Sequence, residues 1–193
     1  MRKIAVFSSG NGTNAENLIR FFKSSPLARV ELVVTNNPSA GVINRAKELG
    51  VPAFVFQKGD LTQGEKITQW LLSNQIDLVV LAGFLLKIPH SLINAFEQKI
   101  INIHPSLLPK FGGKGMYGNH VHAAVLSSGE KESGITVHLV NEEYDKGEIL
   151  ARFSIPIPEG ASVDELAKKI HLLEYEHFPK VVVEYLERKF AST

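Results

Sequence analysis

Five short apolar runs, Lys3–Phe7, Val30–Thr35, Ala53–Phe56, Asp77–Ala82 and Ile100–His104, punctuate the first half of the chain, and their alternation with helical spacing constrains the fold more than any other feature. Runs this short, rich in β-branched residues and bounded by turn residues, predict strands buried on both faces. Between the first two, Ser8-Ser9-Gly10-Asn11-Gly12-Thr13-Asn14 reads as a tight turn, Thr13 and Glu16 have capping-box spacing, and Leu18, Phe21 and Phe22 follow at helical spacing. Gly41–Leu49 predicts a second helix stopped by Gly50. Thr62 and Glu65 repeat the capping-box spacing ahead of a helix with Ile67, Trp70 and Leu71 inward, and Ser91–Phe96 predicts a short helix before the fifth strand.

After Pro109 the pattern changes. Lys110–Asn119 is a loop carrying Gly112, Gly113, Gly115 and Gly118, and His120–Ser127 has helical character. Gly134–Asn141 and Glu148–Pro156 read as two strands around Glu142–Gly147. Ser162 and Glu165 cap a last helix that runs to about Phe190 and is interrupted near Pro179. Strand–helix alternation followed by a hairpin and a helix predicts one α/β domain over residues 1–193, with a mostly parallel sheet and an antiparallel C-terminal portion. Residues 1–104 form the nucleotide-binding-like half and residues 105–193 the other.

Composition narrows the partners. With 21 basic and 20 acidic residues the formal net charge is +1, which gives no electrostatic case for nucleic acid or a membrane surface. The chain has no cysteine, which excludes disulfides and thiolate metal sites and fits a reducing compartment. The apolar run near Met1 is too short for a signal-peptide core or a spanning helix, so the expected location is cytoplasmic.

The candidate chemistry centres on Ile100–Pro109. Side chains alternate along a strand, so Asn102 and His104 share one face, and Pro105 ends the strand just beyond them. A fixed amide donor beside an imidazole at the carboxyl end of a strand suits acyl transfer; alone, the pair fits two polar residues closing a strand equally well. Gly10–Asn14 places glycines between strand and helix, where main-chain N–H groups can meet a phosphate. The turn is neither a Walker A loop nor G-x-G-x-x-G, and Thr35-Asn36-Asn37 supplies no acid after the second strand, which disfavours NAD; a plain β–α turn stays open.

Asp145 gains a role only if its hairpin loop folds over the His104 edge, where it could orient the imidazole and raise its pKa. Glu174 interrupts the apolar stripe Val163, Ala167, Ile170, Phe178, either as an acceptor for a polyhydroxy or amino ligand or as a carboxylate at the edge of the stripe. His120 and His122, two apart on a helix, face different ways, which argues against a metal pair. His138 alternates with Thr136 on a strand and reads as a satisfied core or supporting histidine, while His90, His171 and His177 show no usable pattern.

Ser9-Gly10-Asn11-Gly12-Thr13-Asn14, Leu81-Ala82-Gly83-Phe84, Asn102-Ile103-His104-Pro105-Ser106-Leu107-Leu108-Pro109 and the Asp145 loop occur in the order and approximate spacing of one family. Over essentially its whole length the chain resembles the phosphoribosylglycinamide formyltransferases, the folate-dependent formyltransferases of purine biosynthesis. The Asn-x-His-Pro-Ser-Leu-Leu-Pro segment belongs to the wider superfamily, which includes methionyl-tRNA formyltransferase and formyltetrahydrofolate deformylase; the glycine turn narrows it. The resemblance implies a Rossmann-like formyltransferase fold, small-molecule substrates, 10-formyltetrahydrofolate as co-substrate, no metal, and a monomer or homodimer. It implies Asn102, His104 and Asp145 as the catalytic trio, and Gly12, Thr13, Asn14 and Glu174 as ribonucleotide contacts. It further implies Leu85, Leu86, Lys87, Ile88, Val140, Asn141, Glu142, Glu143 and Tyr144 as the folate pocket, with residues 105–193 as the folate-side half. In this reading protonated His104 and Asn102 stabilise the oxyanion while Asp145 keeps the imidazole charged. Two departures stand out: the loop Phe111–Asn119 is longer and richer in glycine than the family form, and Leu86 stands where a longer basic side chain is expected.

Overall fold

A computed structural model describes residues 1–57, 59–60 and 64–191. Its strands pair in the order β3-β2-β1-β4-β5-β6-β7. The α/β class with a mostly parallel sheet and an antiparallel C-terminal pair is as the sequence predicts. The chain divides into two compact units, Met1–Ile101 and Asn102–Thr193, with the division falling inside β5, Ile100–His104.

In the first unit β1 (Arg2–Phe7) lies between β2 (Ala28–Thr35) and β4 (Leu78–Leu81), and β3 (Ala53–Val55) borders β2, all parallel. Ile4–Phe7 and Leu78–Leu81 are buried throughout, which is why these segments read as unbroken apolar runs. Helix α1 (Thr13–Phe22) buries Ala15, Leu18, Ile19 and Phe22, spaced i, i+3, i+4, i+7. Phe21, also at helical spacing in the sequence, lies beside rather than within the stripe: it is exposed, with its ring edge-on to Phe22 at 5.2 Å between centroids. Helix α2 (Gly41–Glu48) follows β2, and α3 (Glu65–Ser73) buries Ile67 and Leu71. Trp70 instead stacks on Phe54 with ring centroids 4.2 Å apart. The expected Thr62 cap lies outside the described residues. A short α4 (His90–Ala95) leads to β5.

The predicted capping box at Thr13 and Glu16 is not formed. Gly12 occupies the cap position with φ 77°, no side chain caps the helix, and Thr13 is already its first residue. The Glu16 carboxylate is drawn off by Arg20, at 2.8 Å, and by Arg45, which hold its carboxyl below the usual range.

In the second unit α5 (Asn119–Ser127) precedes β6 (Glu132–Leu139) and β7 (Ile149–Pro156), an antiparallel pair whose register shifts between Val137 and His138. Helix α6 (Val163–Phe190) opens with the Ser162/Glu165 capping box the sequence predicts. Pro179 does not interrupt it: the helix continues through 28 residues with the proline inside. A buried proline flanked by Phe178, Val181 and Val182 loses one main-chain bond but keeps its apolar packing, and that burial favours continuing the helix over ending it. Among the described residues no helix is long and apolar enough to cross a membrane.

Candidate active site

Ile100–His104 forms the predicted strand, and its last turn of side chains is unusually polar for such a buried place. His104 is 4% exposed and Asn102 half-buried. The loop condition that the sequence leaves open for Asp145 is met within the second unit: its Oδ2 lies 3.6 Å from His104 Nδ1. The other carboxylate oxygen lies 3.5 Å from His138 Nε2. Two imidazoles therefore face one carboxylate, one at each oxygen.

Each ring has an assignable tautomer, because a carbonyl only accepts. His138 Nδ1 lies 2.8 Å from the Leu139 carbonyl, so that nitrogen carries a proton. Its Nε2 lies 3.1 Å from Asn102 Nδ2, and in the neutral ring it accepts from the amide N–H. The Asn102 side chain is thereby oriented, with one N–H held and the second N–H and Oδ1 left for other partners. The register shift in β6 falls at this residue, a local distortion that re-aims a side chain next to a site. His104 Nε2 donates to the Phe111 carbonyl at 2.8 Å, which turns Nδ1 toward Asp145.

The electrostatics differ from the sequence expectation in one respect. Asp145 and the Phe111 carbonyl do favour the charged imidazole, but burial outweighs them and His138 opposes them, so the His104 pKa lies below its ordinary value. That direction favours the neutral ring near pH 7, with Asp145 pulling toward the charged one. Asp145 itself stays ionised: burial pushes its pKa up, but the His138 contact, His104 and the Gly113 N–H together bring it below the usual range.

The segment after β5 is tied to β6 by a short relay. Leu108 N–H donates to Thr136 Oγ1 at 3.0 Å, and that hydroxyl donates to the Ser106 carbonyl at 2.7 Å. Ser106 Oγ in turn donates to the Lys110 carbonyl at 2.8 Å. His138 and Thr136, two apart on one strand, thus both serve the β5 terminus. The sequence signal for this was their alternation; the understated residue is His138, read there only as a supporting histidine.

In the first unit the strand order reverses at β1, between β2 and β4, the place where open α/β sheets bind ligands. Ser9 Oγ donates to Asn36 Oδ1 at 2.7 Å and accepts from Leu85 N–H at 3.0 Å, so one hydroxyl joins the turns after β1, β2 and β4. Gly12 is a position only glycine fills: its φ is positive, and an added Cβ would stand 2.4 Å from Val42 Cβ. Thr13 and Asn14 open α1, whose first N–H groups have no side-chain cap. Of the expected folate residues, Leu85 is half exposed, Leu86 half-buried, Lys87 exposed and Ile88 buried in the core. Asn141, Glu142, Glu143 and Tyr144 are exposed in the second unit and Val140 is half-buried. Glu174 is 5% exposed on the buried stripe of α6, among Ile170 and Phe178, rather than at its edge. His120 and His122 do not pair: His120 rests against Tyr117, with ring centroids 5.1 Å apart, whereas His122 is buried.

Comparison with known proteins gives consistent findings. The sequence pattern of the family described as formyl transferase matches residues 2–182. A protein of Bacillus subtilis named phosphoribosylglycinamide formyltransferase is 37% identical over 191 residues, 96% of this chain and 95% of its own. The chloroplastic phosphoribosylglycinamide formyltransferase of Arabidopsis thaliana is 41% identical over 94% of this chain; the chain spans 64% of its length, and 62% of the corresponding protein of Vigna unguiculata. The crystal structure of glycinamide ribonucleotide transformylase 1 from Geobacillus kaustophilus is similar with a TM-score of 0.88 and 40% identity, covering 96% of this chain and 99% of that one.

Proposed function

The chain belongs to the formyl transferase family, and we propose that it transfers the formyl group of 10-formyltetrahydrofolate to the amine of 5-phosphoribosylglycinamide, a step of purine biosynthesis. The observation that carries this reading is the buried cluster of Asn102, His104, Asp145 and His138. In our reading the neutral amine attacks the formyl carbon, and the carbonyl oxygen becomes an oxyanion. The second N–H of Asn102, presented by the His138 contact, donates to that oxyanion.

The amine must lose a proton and the folate nitrogen must gain one. A neutral His104 can accept the first, and Asp145, 3.6 Å from Nδ1, stabilises the imidazolium as it forms. The ring then passes the proton to the departing nitrogen as the carbon–nitrogen bond to folate breaks. A neutral resting ring fits this cycle better than a permanently charged one. The acid limb of kcat is accordingly expected below pH ~6.5, the ordinary histidine value, since His104 must be protonated before it stops accepting.

We assign the ribonucleotide phosphate to the turn at Gly12, Thr13 and Asn14, whose uncapped helix terminus favours an anion, and the rest of that substrate to Glu174. Leu85–Ile88 and Val140–Tyr144 remain our choice for the folate. Cytoplasmic location goes with this reading of a cysteine-free chain.

The deciding assay follows formyl transfer from 10-formyltetrahydrofolate with and without the ribonucleotide. Product should form only with it; formate release without it would identify a hydrolase instead. A variant refines the phosphate assignment. Gly12→Val is unsuitable, because the Val42 clash would unfold the turn. Gly10 has open space where a Cβ would stand and no positive φ, so Gly10→Val should leave Tm unchanged and crowd only the ligand. We expect its ribonucleotide KM to rise about tenfold, the loss of roughly 1.4 kcal/mol of binding, with the folate KM unmoved. Equal changes in both constants would remove the phosphate from this turn.

A further inference from the structure

The Phe111–Asn119 loop meets the cluster through two main-chain groups. The Phe111 carbonyl takes the Nε2 proton of His104 at 2.8 Å. Two residues on, the Gly113 N–H donates to Asp145 Oδ2 at 2.8 Å. That is the same oxygen that faces His104 Nδ1 at 3.6 Å. A three-residue segment thus holds both partners, one by a C=O and one by an N–H, with Phe111 at φ 58° and Gly113 at φ 101°.

We propose that Gly113 is a positioning residue: its N–H fixes the Asp145 oxygen aimed at His104, and a left-handed turn at 113 is what aims the N–H. Packing does not explain a glycine here, because an added Cβ at 113 would meet nothing within 4 Å. The constraint is the backbone conformation, which a side chain of L configuration rarely adopts. Asp145 is also in the left-handed region, at φ 55°, so the two contacting positions are both held in uncommon conformations. A carboxylate with a fixed N–H on one oxygen cannot rotate away when the imidazole becomes charged, and that matters only during the proton transfer.

This inference rests on the proposed formyl transfer for its kinetic reading, and a titration tests it separately. Replacing Gly113 by glycolic acid turns its amide into an ester, which deletes the N–H and keeps the chain's conformational freedom. The Asp145 carboxyl pKa, followed by carbon-13 NMR, should rise, because the N–H is one of the groups holding it down. The kcat should fall about tenfold, the usual size for a hydrogen bond to a charged group, with both KM values within about twofold. Gly113→Ala should lower kcat similarly through the strained turn. An ester variant with wild-type kcat and an unmoved Asp145 titration would overturn the proposal, as would a Gly113→Ala variant that loses only Tm. If the unmodified protein transfers no formyl group, the reaction assignment fails while the titration still decides the contact.

Discussion

Asp145→Asn is expected to lower kcat by about 10²–10⁴-fold, the range for losing acid–base assistance, while KM for both substrates changes far less. The substitution keeps the shape and removes the charge. Asp145 Oδ2 lies 3.6 Å from His104 Nδ1 and Oδ1 lies 3.5 Å from His138 Nε2, so no other acid can take its place at that distance among the described contacts. In the free protein burial favours the neutral His104 ring, so the ground state depends little on the carboxylate. The transition state does, because an imidazolium buried at 4% exposure develops beside it. The His104 pKa, followed by proton NMR, should fall further below its ordinary value in the variant, since Asp145 is the largest influence raising it. A variant with kcat within a few-fold of wild type and an unmoved His104 titration would reduce Asp145 to a structural partner of the Gly113 loop.

The parts of this site legible in the sequence are those written in side-chain periodicity. Asn102 and His104 stood out because they interrupt an apolar strand at alternate positions, and the strand is where the sequence places it. Asp145 required knowing where a hairpin loop lands, which spacing does not contain; only resemblance singled it out. His138 reads in the sequence only as a satisfied core or supporting histidine, because its partners, the Leu139 carbonyl, Asn102 and Asp145, come from three stretches of chain. The Phe111 and Gly113 contacts were invisible in principle, since main-chain groups leave no residue pattern beyond a surplus of glycine. The failed capping box has the same cause: Arg45, on another helix, competes for Glu16, and a local motif cannot register a distant competitor. Pro179 shows the converse, a local helix breaker overridden by burial among its neighbours.

The second large effect concerns acid stability and a histidine outside the proposed reaction. His122, on α5, is 2% exposed, and its Nδ1 has no hydrogen-bond partner. Burial, reinforced by His171 on α6 and His104 on β5, pushes its pKa down to about 4. In the unfolded chain the ring titrates near ~6.5. Between those values the unfolded state binds a proton that the folded state refuses, so stability is full above pH ~6.5 and falls as the pH drops toward 4. A difference of this size amounts to roughly 3 kcal/mol across that window. His104 and His171, both also shifted down by burial, push in the same direction. His122→Leu keeps an apolar body of similar size and removes the titration and the orphan nitrogen together. At pH 7 the variant should be as stable as wild type or slightly more so, because an unsatisfied buried polar atom is gone. From pH 7 to pH 4 it should lose about 3 kcal/mol less than wild type in urea unfolding, a comparison in which the shared carboxylate titrations cancel. Parallel pH dependences in the two proteins would mean that His122 takes up its proton without unfolding the helix around it.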